Sequence, residues 1–318
     1  MNMLFIPHVP RRDLINRVYE FASNSSSYAL SWEMRNSSLQ EKILSQIKSL
    51  SFEIDDKIVK IPLLFKPESF APKINTKVLN FAVDRLGVNA VINANALLFD
   101  AKTTKKPLFY DLVDDHLEVN ETIGLNRKRV EKIKDDIRAS RGVICVTEAL
   151  KEKVESLNLN GNVIAVENGL YIERFKRAKS LKKELGLEGK RVFGYIGGVE
   201  RWTGLDRACE AFRVSRRVDD VMIVVGASSG EFYQNLKREY GGEIIFVGAV
   251  SPKDVASYFK TLDIGLIPFE LNDFTNNAFP IKALEYGLAG ARVISTPLSY
   301  LQKKAFPFIE FAEIEKFE

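Results

Sequence analysis

Two doubly wound α/β halves, each a mostly parallel sheet covered by helices on both faces, are what this 318-residue sequence predicts. Three observations carry the prediction. Short apolar, β-rich runs alternate with amphipathic helical stretches along the chain, which is the pattern of strands joined by helical crossovers. The strand series stops at a polar, glycine-containing stretch and then restarts. Finally, 318 residues of 46% hydrophobic and 28% charged composition exceed one ordinary domain while supplying ample buried core.

The first series places strands over 4–7, 28–32, 58–61, 88–92, 108–110, 142–146 and 163–166, with helices over 13–22 and 39–50 between the earliest of them. Glu167-Asn168-Gly169-Leu170-Tyr171-Ile172-Glu173-Arg174-Phe175 then has the composition of a linker, followed by a Lys- and Glu-rich helix and a Gly186/Gly189 turn. The boundary is therefore set near Ile172, giving domains 1–172 and 173–318. The second series runs over 192–196, 221–225, 244–247, 264–267, 293–294 and 308–311. Val255, Phe259 and Leu262 recur at helical spacing just before Asp263, which heads the strand at 264–267. No shorter internal repeat is present.

Composition excludes several classes. No window approaches the roughly 18 uninterrupted apolar residues of a membrane span, and Met1-Asn2-Met3-Leu4-Phe5 reads as a strand opening rather than a signal peptide. A cytoplasmic protein is expected. Cys145 and Cys209 are the only cysteines, each embedded in an apolar pattern, so reduced, packed thiols are expected rather than a disulfide or metal site. The net charge of +4 with basic runs at Arg127-Lys128-Arg129 and Lys182-Lys183 fits solvated helix faces, or attraction to phosphate-bearing ligands or an anionic lipid surface. Neither run has the aromatic interleaving of a nucleic-acid platform. A dinucleotide-binding oxidoreductase is disfavoured because no G-x-G-x-x-G joins a strand to a helix.

Open α/β sheets bind ligands beyond the C-terminal ends of their strands, so the residues following each strand are the candidates. After 192–196 come Gly197, Gly198 and Arg201: paired glycines admit a ligand to the backbone, and Arg offers a fork of donors to a diphosphate. A long polar loop over 268–280, containing Asn277, Phe279 and Pro280, enters a short helix at Ile281 that carries Lys282 and Glu285 one turn apart. Free amides there, over Asn277 to Ile281, together with Lys282 suit phosphate, and Glu285 suits a pair of ribose hydroxyls. The same Lys/Glu pair could equally brace its own helix. In the first half, Pro107-Leu108-Phe109-Tyr110-Asp111-Leu112-Val113-Asp114-Asp115-His116 ends a strand with three carboxylates. Mutual repulsion can make one of Asp111, Asp114 and Asp115 a usable base, although turn and N-cap acids would look the same. His8, in a Pro-stiffened loop with Arg11 and Arg12, could touch a donor phosphate or an acceptor, or sit on the surface. Thr147 reads as a helix N-cap.

The stretch Pro280-Ile281-Lys282-Ala283-Leu284-Glu285-Tyr286-Gly287-Leu288-Ala289-Gly290 running into Ala291-Arg292-Val293-Ile294-Ser295-Thr296 resembles the donor-binding signature of GT-B glycosyltransferases of the family 4, or group 1, type. There a Glu of this helix grips the nucleotide ribose. The linker resembles the family's Asn-Gly-Val-Asp…Phe hinge, Gly197 to Gly204 its Gly-Arg…Lys-Gly element with Thr203 in place of Lys, and Asn277 stands where a second Glu is usual. Tyr258, Asp263 and Pro268 resemble the scaffold before the donor loop, and Tyr110 to Asp115 the segment lining the acceptor side. The resemblance implies two Rossmann-like domains facing a cleft and a metal-independent sugar transfer from a nucleoside diphosphate sugar to a sugar or lipid-linked acceptor, in surface polysaccharide or glycolipid synthesis. No cofactor besides the donor is implied, and the retaining outcome is. The site residues it implies are Gly197, Gly198, Arg201, Asn277, Phe279, Pro280, Ile281, Lys282 and Glu285 for the donor. Asp111, Asp114, Asp115, Arg201 and Lys282 are implied for catalysis, and His8 is added for its place after the first strand, where relatives carry glycine or aromatic residues. From charge and composition, no nucleic acid is expected as partner, and peripheral association with the inner face of the cell membrane stays open. Relatives continue beyond the equivalent of Glu318 into helices that cross back onto the first domain, so a mobile interdomain angle is expected. The alternatives are a GT-B epimerase or phosphorylase, the latter disfavoured because no lysine-anchored pyridoxal phosphate segment is present, and an inert sugar-nucleotide-binding partner in an assembly complex.

Overall fold

The structure, a computed structural model, describes residues 2–8, 21–22, 24–31, 53–55, 57–61, 63–64, 70–95, 97–226 and 230–313. The chain divides into two compact units, Met1–Asn168 and Gly169–Glu318. The helix expected over 39–50, most of that over 13–22, and the loop cations Arg11 and Arg12 lie outside the described residues; residues 21 and 22 are helical.

Among the described residues the first unit has eight strands: β1 (Met3–Ile6), β2 (Tyr28–Ser31), β3 (Glu53–Asp55), β4 (Ile58–Lys60), β5 (Ala90–Asn93), β6 (Leu108–Leu112), β7 (Gly142–Cys145) and β8 (Val163–Ala165). Their order is β3-β4-β2-β1-β5-β6-β7-β8. Every pairing is parallel except β3 with β4, a short antiparallel addition that the sequence pattern did not announce. Helix α1 (Ala71–Leu86) starts with Pro72 in its first turn and stops at Gly87, whose φ of +61° only a glycine takes without strain. Its Leu79, Ala82 and Val83 pack with Leu4, Leu30 and Val91 of the sheet. Helix α2 (Arg127–Ala139) is capped by Asn126 and α3 (Glu148–Ser156) by Thr147, whose hydroxyl accepts from the Leu150 N–H at 3.2 Å.

The second unit opens with α4 (Ile172–Arg177) and then winds β9 (Arg191–Ile196), α5 (Leu205–Ser215), β10 (Asp220–Val225), α6 (Glu231–Tyr240), β11 (Ile244–Gly248), α7 (Val255–Phe259) and β12 (Ile264–Ile267). It ends with α8 (Asp273–Asn277), α9 (Ile281–Ala289), β13 (Arg292–Ser295), α10 (Ser299–Lys304) and β14 (Ile309–Phe311). The wholly parallel order is β11-β10-β9-β12-β13-β14. Arg191 clamps Asp220 through two bonds of 2.7 Å at the start of β9 and β10. Asp263, read from the sequence as scaffold, accepts from the Val192 N–H at 2.7 Å and from Lys182 at 2.6 Å. Cys145 and Cys209 are free and buried in the two cores, and burial pushes the Cys145 thiol up to about 12.

Two expectations needed adjustment. The Lys- and Glu-rich stretch after the linker forms hydrogen-bonded turns, not a helix, because Gly186 and Gly189 take φ of +66° and +73° and end any helical run. The helix lies earlier, at α4. The supposed open loop over 268–280 contains α8, nucleated by a capping box in which Asn272 and Thr275 bond each other's backbone N–H.

Candidate functional site

In the second unit the strand order reverses between β9 and β12, which are neighbours although β10 and β11 intervene in sequence. Such a reversal opens a crevice at the C-terminal strand ends. Helix α9 is fixed over it by Tyr286, fully buried, whose hydroxyl accepts from the Ile196 N–H at 3.1 Å and lies 3.4 Å from the carbonyls of Gly194 and Leu266. A Cβ on Gly265 would meet the Tyr286 ring at 2.4 Å, so that glycine is what lets the ring drop between the two strands. The anchor thus presents Lys282 and Glu285 at a set height above β9.

Lys282 donates to the Tyr195 hydroxyl at 2.9 Å, and that hydroxyl donates in turn to the Gly198 carbonyl at 2.6 Å. Its ammonium lies 4.0 Å from the centre of the Tyr195 ring and 4.7 Å from that of Phe269, a cation–π arrangement. Burial pulls Lys282 down to about 7, opposed by the charge of Glu285. Burial pushes Glu285 upward, while Arg174 and Lys282 draw it back. Arg174 of α4 is the direct partner, its Nη2 bonding Oε1 of Glu285. Sequence reasoning had missed both Tyr195 and Arg174: each meets its partner across a long sequence separation, and no local pattern marks either.

Gly197 takes φ of +147°, and a Cβ there would lie 3.0 Å from the Lys282 ammonium, so the absent side chain is the space this lysine uses. Gly226, at the end of β10, is tighter still: its Cβ would stand 1.9 Å from the Gly197 carbonyl oxygen. Gly198 is exposed beside them. Arg201 is also exposed and lies 5.7 Å over the ring of Phe232 on α6. Thr203, at the position where Lys was expected, is buried and donates to the Glu200 carbonyl at 2.6 Å, closing the turn into α5. The connector candidates divide. Asn277 ends α8, Phe279 is buried against Tyr300 with ring centres 4.8 Å apart, and Pro280 precedes α9. The Ala278 N–H donates to Thr275 and the Ile281 N–H to Phe279 at 2.8 Å, so these two amides, expected to hold phosphate, are already engaged within the chain.

In the first unit the reversal falls between β1 and β5. His8, just past β1, has Nδ1 3.4 Å from the Ala94 carbonyl and stacks on His116, past β6, with ring centres 5.1 Å apart. Asp111 is buried on β6. Asp115 is buried and accepts from Lys153 of α3 at 2.7 Å and from the Leu117 N–H at 3.2 Å. Asp114 differs: burial and the charge of Asp115 raise it to about 7. His8 is exposed, the surface setting that the sequence left open for it, and burial brings His116 down to about 4, His8 adding to that fall. At neutral pH the edge therefore combines the neutral imidazole of His116 with one acid ready to exchange a proton. His116, one of only two histidines in the chain, joins this cluster and was not among the expected site residues.

Among the described residues no three His, Cys, Asp or Glu side chains are grouped to hold a metal ion, and no helix is long and apolar enough to cross a membrane. Residues 176–306 match the family model for glycosyl transferases group 1. A protein of Bacillus subtilis (strain 168) named as a teichuronic acid biosynthesis glycosyltransferase, TuaH, is 29% identical over 185 residues, 56% of this chain and 46% of that one. The alpha-monoglucosyldiacylglycerol synthase of Streptococcus pneumoniae is 22% identical over 173 residues, 50% of this chain and 38% of the relative. The chain thus spans less than half the length of these curated relatives. Among solved structures, the sucrose-phosphate synthase of Thermosynechococcus elongatus superposes with a TM-score of 0.75 at 12% identity, over 99% of this chain and 86% of that one. Anabaena HepE in complex with UDP-glucose does so with a TM-score of 0.71 at 16% identity, over 99% and 87%. These likenesses show the α/β fold expected from the sequence, two Rossmann-like units of the GT-B type. Residues 176–306 are thus similar to group 1 glycosyl transferases, and they lie within the second unit.

Proposed function

We propose that the protein transfers a sugar from a nucleoside diphosphate donor to a sugar or lipid-linked acceptor in surface polysaccharide or glycolipid synthesis. The observation that carries the reading is the anchored helix α9, which sets a half-buried lysine and a half-buried glutamate one turn apart at the β9/β12 reversal. Lys282, with the exposed Arg201, supplies positive charge for the leaving diphosphate, whose charge grows as the glycosidic bond breaks. Glu285 accepts the ribose hydroxyls. In the first unit Asp111, Asp114 and Asp115 with His8 serve the acceptor. The names of TuaH and the diacylglycerol synthase support a polymer or lipid destination, and HepE, solved with UDP-glucose, supports a sugar nucleotide as donor.

The cations of the second unit make a metal-independent reaction without further cofactor the consistent reading, in the cytoplasm and peripheral to the inner face of the membrane. A second reading, an inert sugar-nucleotide-binding partner, is favoured by Thr203, whose hydroxyl is spent on the Glu200 carbonyl where a lysine would face the diphosphate. Incubation with UDP-, GDP- and ADP-sugars tests both. Hydrolysis or transfer supports the transferase, and binding without turnover supports the inert partner. Conversion of a UDP-sugar with no acceptor present would indicate an epimerase.

A further inference from the structure

The linker motif Tyr171-Ile172-Glu173-Arg174-Phe175 reads from sequence only as a hinge, and Arg174 precedes the stretch that matches the family model. The structure gives it a second role. Phe175 is buried, with its ring 5.9 Å from Phe259 of α7, and Phe259 lies 5.0 Å from the ring of Tyr286 on α9. This row of three rings locks α4 against the helix that carries Glu285. Arg174 crosses the same junction, its guanidinium 5.0 Å over the Phe175 ring and its Nη2 on Oε1 of Glu285. Both side chains are largely withdrawn from water, 16% and 13% exposed, and the Nε of Arg174 is buried without a hydrogen-bond partner.

A carboxylate taken out of water needs a compensating charge, and an arginine planted by packing fixes its orientation as well as its charge. An ionised carboxylate is acceptor-only and can receive two neighbouring hydroxyls, which a protonated one does less well. The contact uses one of the two carboxylate oxygens, so it orients the group without occupying the whole of it. We propose that Arg174 is the positioning residue for Glu285, aiming its carboxylate at the paired 2′- and 3′-hydroxyls of the donor ribose; this rests on the reading of Glu285 as the ribose-gripping residue. The linker arginine is then part of the donor site by way of the residue it holds.

Calorimetric titration with UDP, GDP and ADP, and with the 2′,3′-dideoxy analogue of whichever binds, tests this. Wild type is expected to prefer the ribose-bearing nucleotide by about tenfold or more. Arg174→Ala is expected to bring that ratio close to one while binding the dideoxy analogue as wild type does, and Arg174→Lys to recover part of the preference. An unchanged ratio in Arg174→Ala overturns the positioning role alone. Tighter binding of the ribose-bearing nucleotide in that variant also overturns it, since Arg174 would then be a competitor for the carboxylate. Loss of the dideoxy analogue as well overturns it in favour of general support of the fold. A wild-type ratio of one removes the ribose reading of Glu285 itself, and the inference with it.

Discussion

The two strand-edge sites share a topology and differ in how their charges are balanced. In both units the reversal comes beside the first strand of the sheet, between β1 and β5 and between β9 and β12. The first unit fills that edge and the adjacent end of β6 with acids and two stacked imidazoles, and the second with basic side chains, aromatic rings and one glutamate. Burial is the leading cause at both, raising Asp114 to about 7 and lowering Lys282 to about 7. Asp114 loses solvent and faces a second acid, while Lys282 loses solvent among Tyr195 and Phe269. An arriving anion would charge Lys282, whereas an arriving hydroxyl could surrender a proton to Asp114. Topology determines where a ligand can sit, and the local pairing of charges determines which ligand.

The largest expected effect on this comparison is on backbone approach in the second unit. Gly226→Ala places a Cβ 1.9 Å from the Gly197 carbonyl at a φ of +128°. It should destabilise by about 3 kcal/mol or more, read as a fall in thermal midpoint; an unshifted midpoint would show that the two loops are not tightly apposed. Next, Glu285→Ala should weaken nucleoside diphosphate binding by about 100-fold, roughly 2.7 kcal/mol, while leaving the first unit's edge untouched. Unaltered affinity would move the ribose elsewhere.

Asp114 should give a smaller, pH-shaped effect. Its folded value, about 7, lies above the ordinary 3.8, so the folded state binds the extra proton. Its stabilising contribution is full below about pH 4 and is lost as pH rises through about 7. Asp114→Asn should remove that loss, gaining on the order of 1–2 kcal/mol on wild type between pH 5 and pH 8 in paired melts. Parallel pH dependence in the two proteins would show the acid to be well solvated. Smallest is Tyr195→Phe, which deletes the hydroxyl between Lys282 and the Gly198 carbonyl but keeps the ring. About 1 kcal/mol of diphosphate affinity should go, some fivefold; no change would leave the ring alone as the support of Lys282.

Much of the fold was legible because each strand is a compact apolar run ended by glycine or polar residues, as with Val221 to Val225 before Gly226. Thr147 as a cap and Asp263 as scaffold were legible for the same local reason. The site was only half legible. Lys282 and Glu285 share one helix turn, which a sequence displays directly, but their partners Tyr195 and Arg174 lie 87 and 111 residues away and meet them through the winding of the sheet. The His8/His116 stack is likewise created by β1 and β6 lying on either side of β5. Helix α8 does carry a signal, Asn272 three residues before Thr275, although the box uses Thr in place of the usual Glu or Gln.

On the proposed reading the head of α9 receives a diphosphate. Lys282, drawn down to about 7, is mostly neutral at pH 8, and a diphosphate beside it would restore its charge. Titration with UDP or GDP at pH 8, in two buffers of different ionisation enthalpy, measures that proton directly. Binding is expected with net proton uptake, with affinity declining as pH rises above about 7, and with loss of both the uptake and most of the affinity in Lys282→Met. Binding of equal strength in that variant, or no binding by the wild-type chain, would contradict that reading.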